Sequence, residues 1–291
     1  MNRRDGDGFQ PREHADISKD DGLTGEELAR LARVLRDGTG IVLKDNKQLL
    51  AETRLRHRAR ELGLPSLRHY CDHLWSDNAE GAEREHLIDA LTTHQTSFFR
   101  EAHHFEFLSS VVLPAIGRRQ ITAWCAGCST GEEAWTLAMV LADHRERARF
   151  PDFEILATDV SAESLRQAAS AVYEERSIQD IQEDFRRKYL LRSRDRRRAL
   201  VKIAPELRGH VQFTQANLVA AQPEITPSAD VIFCRNVMIY FDKPTQRLLL
   251  NRLVQALAPG GYLFLGHAEA IMGRTWPLSP AGPTTYRKQI A

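Results

Sequence analysis

No apolar run in this 291-residue chain approaches the length of a membrane span, and Met1 to Asp21 holds no signal-peptide core. Neither a membrane-inserted nor an exported protein is expected; the reading is a cytoplasmic one. Cysteine is scarce: Cys71, Cys125, Cys128 and Cys234 lack the spacing of a disulfide framework and are expected to be reduced. No second cysteine pair exists to complete a zinc tetrahedron with Cys125 and Cys128, so no metal site is expected. His69, Cys71 and His73 do not supply one either, because a helix points Cys71 away from the two imidazoles. There is little net charge, +1, and hence no global field that would mark a nucleic-acid binder. Internal repeats and low-complexity tracts are absent. What remains is 42% hydrophobic and 27% charged, ordinary for a globular protein with room for one large domain or two smaller ones.

Residues 1–22 are charged and poor in apolar anchors, which predicts a disordered tail. Thr24-Gly25-Glu26-Glu27 then reads as a capping box, with Leu28, Leu31, Ala32 and Leu35 at helical spacing and Gly38 as a stop. Further helices are predicted over Asp45 to Leu62, around Leu67, Tyr70 and Leu74, and around Leu87, Ile88 and Leu91. Residues 23–92 thus read as a helical domain without strands. A helix from Phe98 to Ile116 leads into residues 93–291, where strands at Ile121–Trp124, Phe153–Thr158, Val231–Cys234 and Tyr262–Gly266 alternate with helices at Glu132–Arg145, Ala162–Ala171 and Lys243–Leu257. That alternation predicts an α/β fold, a doubly wound parallel sheet of Rossmann-like type covered on both faces. It breaks at about 174–215, where a polar helix and short strands at Leu200–Ile203 and Val211–Phe213 predict a small inserted β-subdomain.

Trp124-Cys125-Ala126-Gly127-Cys128-Ser129-Thr130-Gly131-Glu132-Glu133 joins a strand to a helix through a glycine turn, the arrangement of nucleotide-cofactor loops. Two carboxylates in the first helical turn would repel a pyrophosphate from the positive helix end. A cofactor with a ribose, an ammonium and a sulfonium but no phosphate is compatible with them, and S-adenosylmethionine (SAM) fits. Ligands of open parallel sheets bind beyond the carboxyl ends of the strands. Three more strand ends carry polar groups: Asp159, whose two oxygens can accept from both hydroxyls of a ribose; Asn217, which can read an adenine edge with Leu218 packed on the ring; and Arg235-Asn236, followed by Tyr240. Each alone could be a turn or cap residue; four in register on one edge point to a ligand.

These residues, with Thr92 to Glu101, Phe233 to Asp242 and Pro259 to His267, carry a resemblance over about residues 23–288. The chain resembles the CheR family of chemotaxis receptor methyltransferases, which move a methyl group from SAM to glutamate side chains of chemoreceptors. The resemblance implies the same layout: a helical N-terminal domain, a SAM domain and an inserted β-subdomain. It implies SAM contacts at His94, Thr96, Arg100, Glu132, Asp159, Asn217, Leu218, Arg235 and Asn236, with Gly127 in the turn, and places Arg100 and Tyr240 nearest methyl transfer. S-adenosylhomocysteine would be the product. Two departures stand out. His94 occupies a position often held by asparagine, which would make SAM binding pH-sensitive, and Cys125 replaces a small non-thiol residue.

A glutamate with a solution pKa of about 4.3 is already an ionised nucleophile at neutral pH, so no general base is required. The task is in-line alignment and desolvation; Tyr240 would orient the reacting groups and Arg100 would hold a carboxylate. Lys44, Lys47, Arg54, Arg56, Arg58 and Arg60 make the second helix basic. The resemblance assigns Arg54, Arg58 and Arg60 to docking on the acidic cytoplasmic helical bundle of a methyl-accepting chemoreceptor. Relatives that bind a C-terminal receptor pentapeptide tend to carry a glycine-rich loop where this chain has Leu191 to Leu200, without glycine, so a pentapeptide-independent enzyme is expected. A monomer is expected as well. The alternatives are a SAM-dependent methyltransferase or a non-catalytic SAM-binding regulator acting on another signalling protein. A nucleic-acid methyltransferase is disfavoured because Arg235 to Asp242 lacks the Asn/Asp-Pro-Pro-aromatic pattern used on a flipped base.

Overall fold

A computed structural model describes residues 22–43, 48–76, 81–117, 120–148, 152–220, 228–271 and 275–290. Apart from Gly22, the expected tail lies outside them, as do Lys44 and Lys47. The chain forms two compact units, Met1–Val34 with Leu43–Leu91, and Leu35–Val42 with Thr92–Ala291.

The first unit is helical. The capping box forms as its residues dictate: Thr24 N donates to Glu27 Oε2 (2.7 Å) and Glu27 N to Thr24 Oγ1 (3.2 Å), opening α1 (Gly25–Thr39). Helix α1 ends at Gly40 (φ +76°), two residues beyond the expected stop at Gly38. Helices α2 (Gln48–Glu61), α3 (Leu67–Leu74, capped by Ser66) and α4 (Ala82–Leu91) follow. Leu31, Leu55, Ala59, Leu67, Tyr70 and Leu87 are fully buried, one apolar stripe per helix as the periodicity requires.

The second unit opens with turns at 98–102, so the helix expected from Phe98 starts later. It runs as α5 (His103–Phe107), a π-helical stretch (Leu108–Val112) and α6 (Leu113–Ile116). Next come β1 (Ile121–Ala126), α7 (Glu132–Ala148), β2 (Phe153–Asp159), α8 (Ala162–Ser170), β3 (Val172–Glu174), α9 (Glu183–Tyr189), β4 (Leu190–Arg192), β5 (Leu200–Ile203), α10 (Pro205–Arg208), β6 (Val211–Gln215), β7 (Ala229–Cys234), α11 (Lys243–Ala256), β8 (Leu257–Leu265), β9 (Leu278–Gly282) and β10 (Thr285–Lys288). The main sheet has the order β6-β2-β1-β7-β8-β10-β9; its first five strands are parallel and β10 and β9 close it antiparallel. Strands β3, β5 and β4 form a separate antiparallel sheet, the inserted subdomain. Val211–Gln215, read from sequence as part of that insertion, is instead an edge strand of the main sheet, in register with Ile155–Asp159.

Alternation along the central strands sends side chains to two separate cores. Ala123, Val231, Phe233, Tyr262 and Phe264 pack with α5, the π-helical stretch and α7. Trp124, Ile232, Cys234, Leu263 and Leu265 pack with Leu249, Leu250 and Leu253 of α11. Both faces are covered, which explains why these strands are almost unbroken apolar runs.

Candidate active site

The sheet order sets Asn217, Asp159, the Gly127–Glu132 turn and Arg235-Asn236 at the carboxyl ends of four neighbouring parallel strands, β6, β2, β1 and β7. The chain direction reverses across the sheet between β1 and β7, the switch point where open α/β sheets bind ligands. Gly127 N and Cys128 N donate to Thr158 O (2.8 and 2.9 Å), locking the turn onto β2. Ser129 takes a positive φ of 50° and its N–H donates to Asp159 Oδ2 (2.8 Å), while Ser161 N donates to Oδ1 (3.0 Å). Burial pushes the Asp159 carboxyl up and these amides oppose the shift. Each oxygen keeps a further acceptor site.

The glycines of the turn let it approach its protein neighbours closely. A Cβ on Gly127 (φ +84°) would lie 2.5 Å from Val237 Cγ2, and one on Gly131 (φ +95°) 2.7 Å from Ala168 Cβ and 2.9 Å from the Tyr173 hydroxyl. Protein fills the side-chain space at both glycines, which seats the turn against the loop after β7 and against α8.

The two glutamates of the turn also separate. Glu132 is buried and accepts from Thr130 Oγ1 (2.6 Å); burial raises its carboxyl above the ordinary value and the Thr130 hydroxyl acts against that. Glu133 is neutralised internally: its Oε2 accepts from Arg235 Nε (2.6 Å) and its Oε1 from the Cys125 thiol (3.0 Å). The negative character of the edge therefore rests on Glu132 and Asp159. Arg235, placed among the cofactor contacts from sequence, has a guanidinium only 1% exposed. It donates to Glu133, to the Arg100 carbonyl (2.6 Å) and to His104 Nδ1 (3.2 Å), and lies over the Phe105 ring. Its side chain ties the turn bearing Arg100 to the loop after β7, which leaves its main chain as the part at the edge. Burial pushes Cys125 and Cys128 well up, so the Cys-x-x-Cys is a pair of inert packed thiols.

Thr96 and Arg100 are half-buried in the connection before α5, where Phe99 and Glu101 both take positive φ (53° and 55°) and Arg100 Nη1 donates to Gln95 O (3.0 Å). His94 has both ring nitrogens against hydroxyls, Nε2 to Thr92 Oγ1 (2.8 Å) and Nδ1 to Ser164 Oγ (2.9 Å), and its carbonyl accepts from Ser129 Oγ (3.0 Å). Leu218 packs at the margin of the core beneath α11. Residues 35–42 run along this edge as a strap. Gly38 O accepts from Asn217 Nδ2 (2.8 Å), Ile41 bridges Phe241, and Val42 N donates to Tyr240 O (2.9 Å). Gly40 lies so close that a Cβ would be 2.6 Å from Val219 Cγ2. The Asn217 amide is thereby oriented, because its Oδ1 also accepts from Val219 N (2.9 Å).

Glu269, beyond β8, was not read as a site residue. Its Oε2 accepts from Asn236 N (2.7 Å) and Gly266 N (2.8 Å), and its Oε1 from Ile239 N (3.2 Å). The signal was present, an acidic residue just past the carboxyl end of the fifth parallel strand.

A buried Glu132 after β1, a part-buried Asp159 at the end of β2 and an oriented amide after β6 suit an ammonium, a sulfonium and a ribose, so the residues present fit SAM. The description "CheR methyltransferase, SAM binding domain" matches residues 94–286, and "CheR methyltransferase, all-alpha domain" matches 26–92. The chain belongs to the CheR methyltransferase family. A chemotaxis protein methyltransferase of Escherichia coli is 36% identical over 264 residues, covering 91% of each chain. One of Klebsiella aerogenes is 38% identical over 265 residues, covering 91% of this chain and 90% of its own. Chemotaxis protein methyltransferase 2 of Pseudomonas aeruginosa is 36% identical over 264 residues (90% and 93%). The cofactor of this CheR-family chain is SAM, and no helix among its described residues is long and apolar enough to cross a membrane.

In the helical unit, the residues expected to dock a receptor differ in what they already hold. Arg58 grips the buried Glu83 with Nε and Nη2 (3.0 and 2.9 Å) and Glu61 with Nη1 (3.1 Å). Burial opposes the Glu83 charge, yet Arg58 and Tyr70 bring that carboxyl below the ordinary value. Arg54 donates to Ala90 O (2.9 Å) near the end of α4, and Arg60 is exposed.

Proposed function

We propose that this protein transfers a methyl group from SAM to glutamate side chains of a methyl-accepting chemoreceptor in the cytoplasm, forming methyl esters without binding a receptor pentapeptide. The observation that carries the reading is the polar edge formed by β6, β2, β1 and β7, with Tyr240 and Arg100 on loops that Arg235 ties together. SAM supplies the methyl group in activated form, as a sulfonium. Everything else falls to the chain. Glu132 and Asp159 hold the cofactor's cationic and hydroxyl groups, Asn217 and Leu218 its adenine, and His94, Thr96, Gly127 and Asn236 line the site. Arg235 serves mainly through its main chain. Arg100 holds a carboxylate, and Tyr240 orients the incoming glutamate. That glutamate arrives ionised, so no base is needed, and His104 stays neutral in the interior, its pKa pushed down to about 4 by burial and by Arg235.

Arg54, Arg58 and Arg60 face the acidic receptor bundle in this proposal, with Arg60 the cation least committed to the fold. The deciding experiment incubates the enzyme with labelled SAM and receptor cytoplasmic fragments, then treats the product with alkali. Release of labelled methanol is expected, since a carboxyl ester hydrolyses; base-stable label would place the methyl on nitrogen and overturn the assignment.

A further inference from the structure

The loop from Asn236 to Tyr240 has little regular structure to hold it. Asn236 takes a positive φ of 59°, and Met238–Tyr240 is a single 3-10 turn. A non-glycine residue rarely adopts that conformation unless its surroundings impose it. The imposing group is Glu269. Its carboxylate, 7% exposed, collects the N–H groups of Asn236, Gly266 and Ile239. No basic side chain lies within ion-pair distance of it among the described residues. Burial pushes its carboxyl up, and main-chain N–H groups, Met238 included, act in the other direction. Gly266 is required for this closeness: a Cβ there would lie 2.7 Å from Asn236 N and 2.7 Å from Glu269 Oε2. The turn that delivers the carboxylate is closed by Glu269 N donating to Gly266 O (2.9 Å).

A carboxylate inside a ring of main-chain donors is an acceptor that no neutral side chain of the same shape replaces. Glutamine offers one acceptor oxygen and turns an NH2 toward N–H groups that need acceptors. A buried donor left unpaired disfavours the conformation that leaves it so. The loop is held at Tyr240 O by Val42 N (2.9 Å) and at Met238 O by Gln246 Nε2 (2.8 Å), and its N–H groups at Asn236 and Ile239 depend on the one side chain from beyond β8.

We infer that Glu269 is a positioning residue for methyl transfer, acting through the Asn236–Tyr240 loop to set the place of the Tyr240 side chain. The inference rests on the proposed role of Tyr240. It predicts a coupling that a general contribution to stability does not produce. Turnover is measured at saturating SAM for wild type, Tyr240→Phe, Glu269→Gln and the double variant. Glu269→Gln is expected to lower kcat by at least tenfold in the wild-type background and by less than about twofold in the Tyr240→Phe background. Equal losses in both backgrounds, or none in either, overturn the inference while the Tyr240 role stands. Full turnover by Tyr240→Phe overturns both. A measurement on the unaltered enzyme stands beside these should Glu269→Gln fail to fold. The amides of Asn236 and Ile239, outside helix or strand hydrogen bonding, are expected to exchange with solvent as slowly as those of β7. Rapid exchange at both overturns the inference.

Discussion

Arg235 and His104 show how little a residue's type says about its task. Arg235 follows the apolar run of β7, where a sequence reading places a surface cation facing a ligand. Its neutralising partner, Glu133, comes from a different element, so neither periodicity nor local spacing reveals that the guanidinium turns inward. His104 is fully buried beside that guanidinium, with Nε2 at 3.2 Å from the Pro283 carbonyl. Burial first, and then Arg235, hold its pKa at about 4 against an ordinary 6.5, with Glu101 and the Pro283 carbonyl opposing. The folded state therefore keeps the neutral ring while the unfolded chain takes up a proton. This contribution is complete above pH 6.5 and is lost as pH falls toward 4, up to about 3 kcal/mol. The thermal midpoint is expected to drop across that window, and His104→Gln to flatten the drop. Parallel profiles for the two proteins would remove His104 as the cause.

Elements were legible in proportion to how local their cause is. The capping box, the first strand–turn–helix and the alternation that follows are written in neighbouring residues, and they appear where expected. β9 was not read, because Pro280 and Gly282 break its pattern; a sheet edge tolerates both, as its outer face needs no partner. Val211–Gln215 reads identically as an insertion strand or a sheet strand until β2 is there to choose. The same non-locality divides α2. Arg58 holds Glu83 of α4, so Arg58→Ala leaves a largely buried carboxylate without its cation, with Tyr70 still beside it, and roughly 2–3 kcal/mol of the helical unit's stability is expected to go with it. Arg60→Glu should leave melting unchanged while lowering receptor methylation several-fold at low salt, less so at high salt. Calorimetric melting and methylation of both variants check this. Equal melting for the two would mean that the pair with Glu83 contributes nothing.

Over the whole molecule, the proposed pentapeptide independence rests on the loop of the β-subdomain. Ser193 N closes on Leu200 O (2.9 Å) and the chain between forms one short 3-10 turn (Arg196–Arg198), with no glycine to open a peptide groove. Calorimetry with a receptor C-terminal pentapeptide is expected to show no micromolar binding; a saturable isotherm in that range would refute pentapeptide independence.

The strap of residues 35–42 gives the molecule an order of events. It leaves the ribosome before any strand of the sheet it lies along, at a time when neither the amide of Asn217 nor the carbonyl of Tyr240 has been made. That edge is thus finished by a segment that has waited until the loop after β7 is made. An N-terminal fragment cannot assemble that edge for want of strands, and a fragment begun after the strap would have the strands without the piece that completes it.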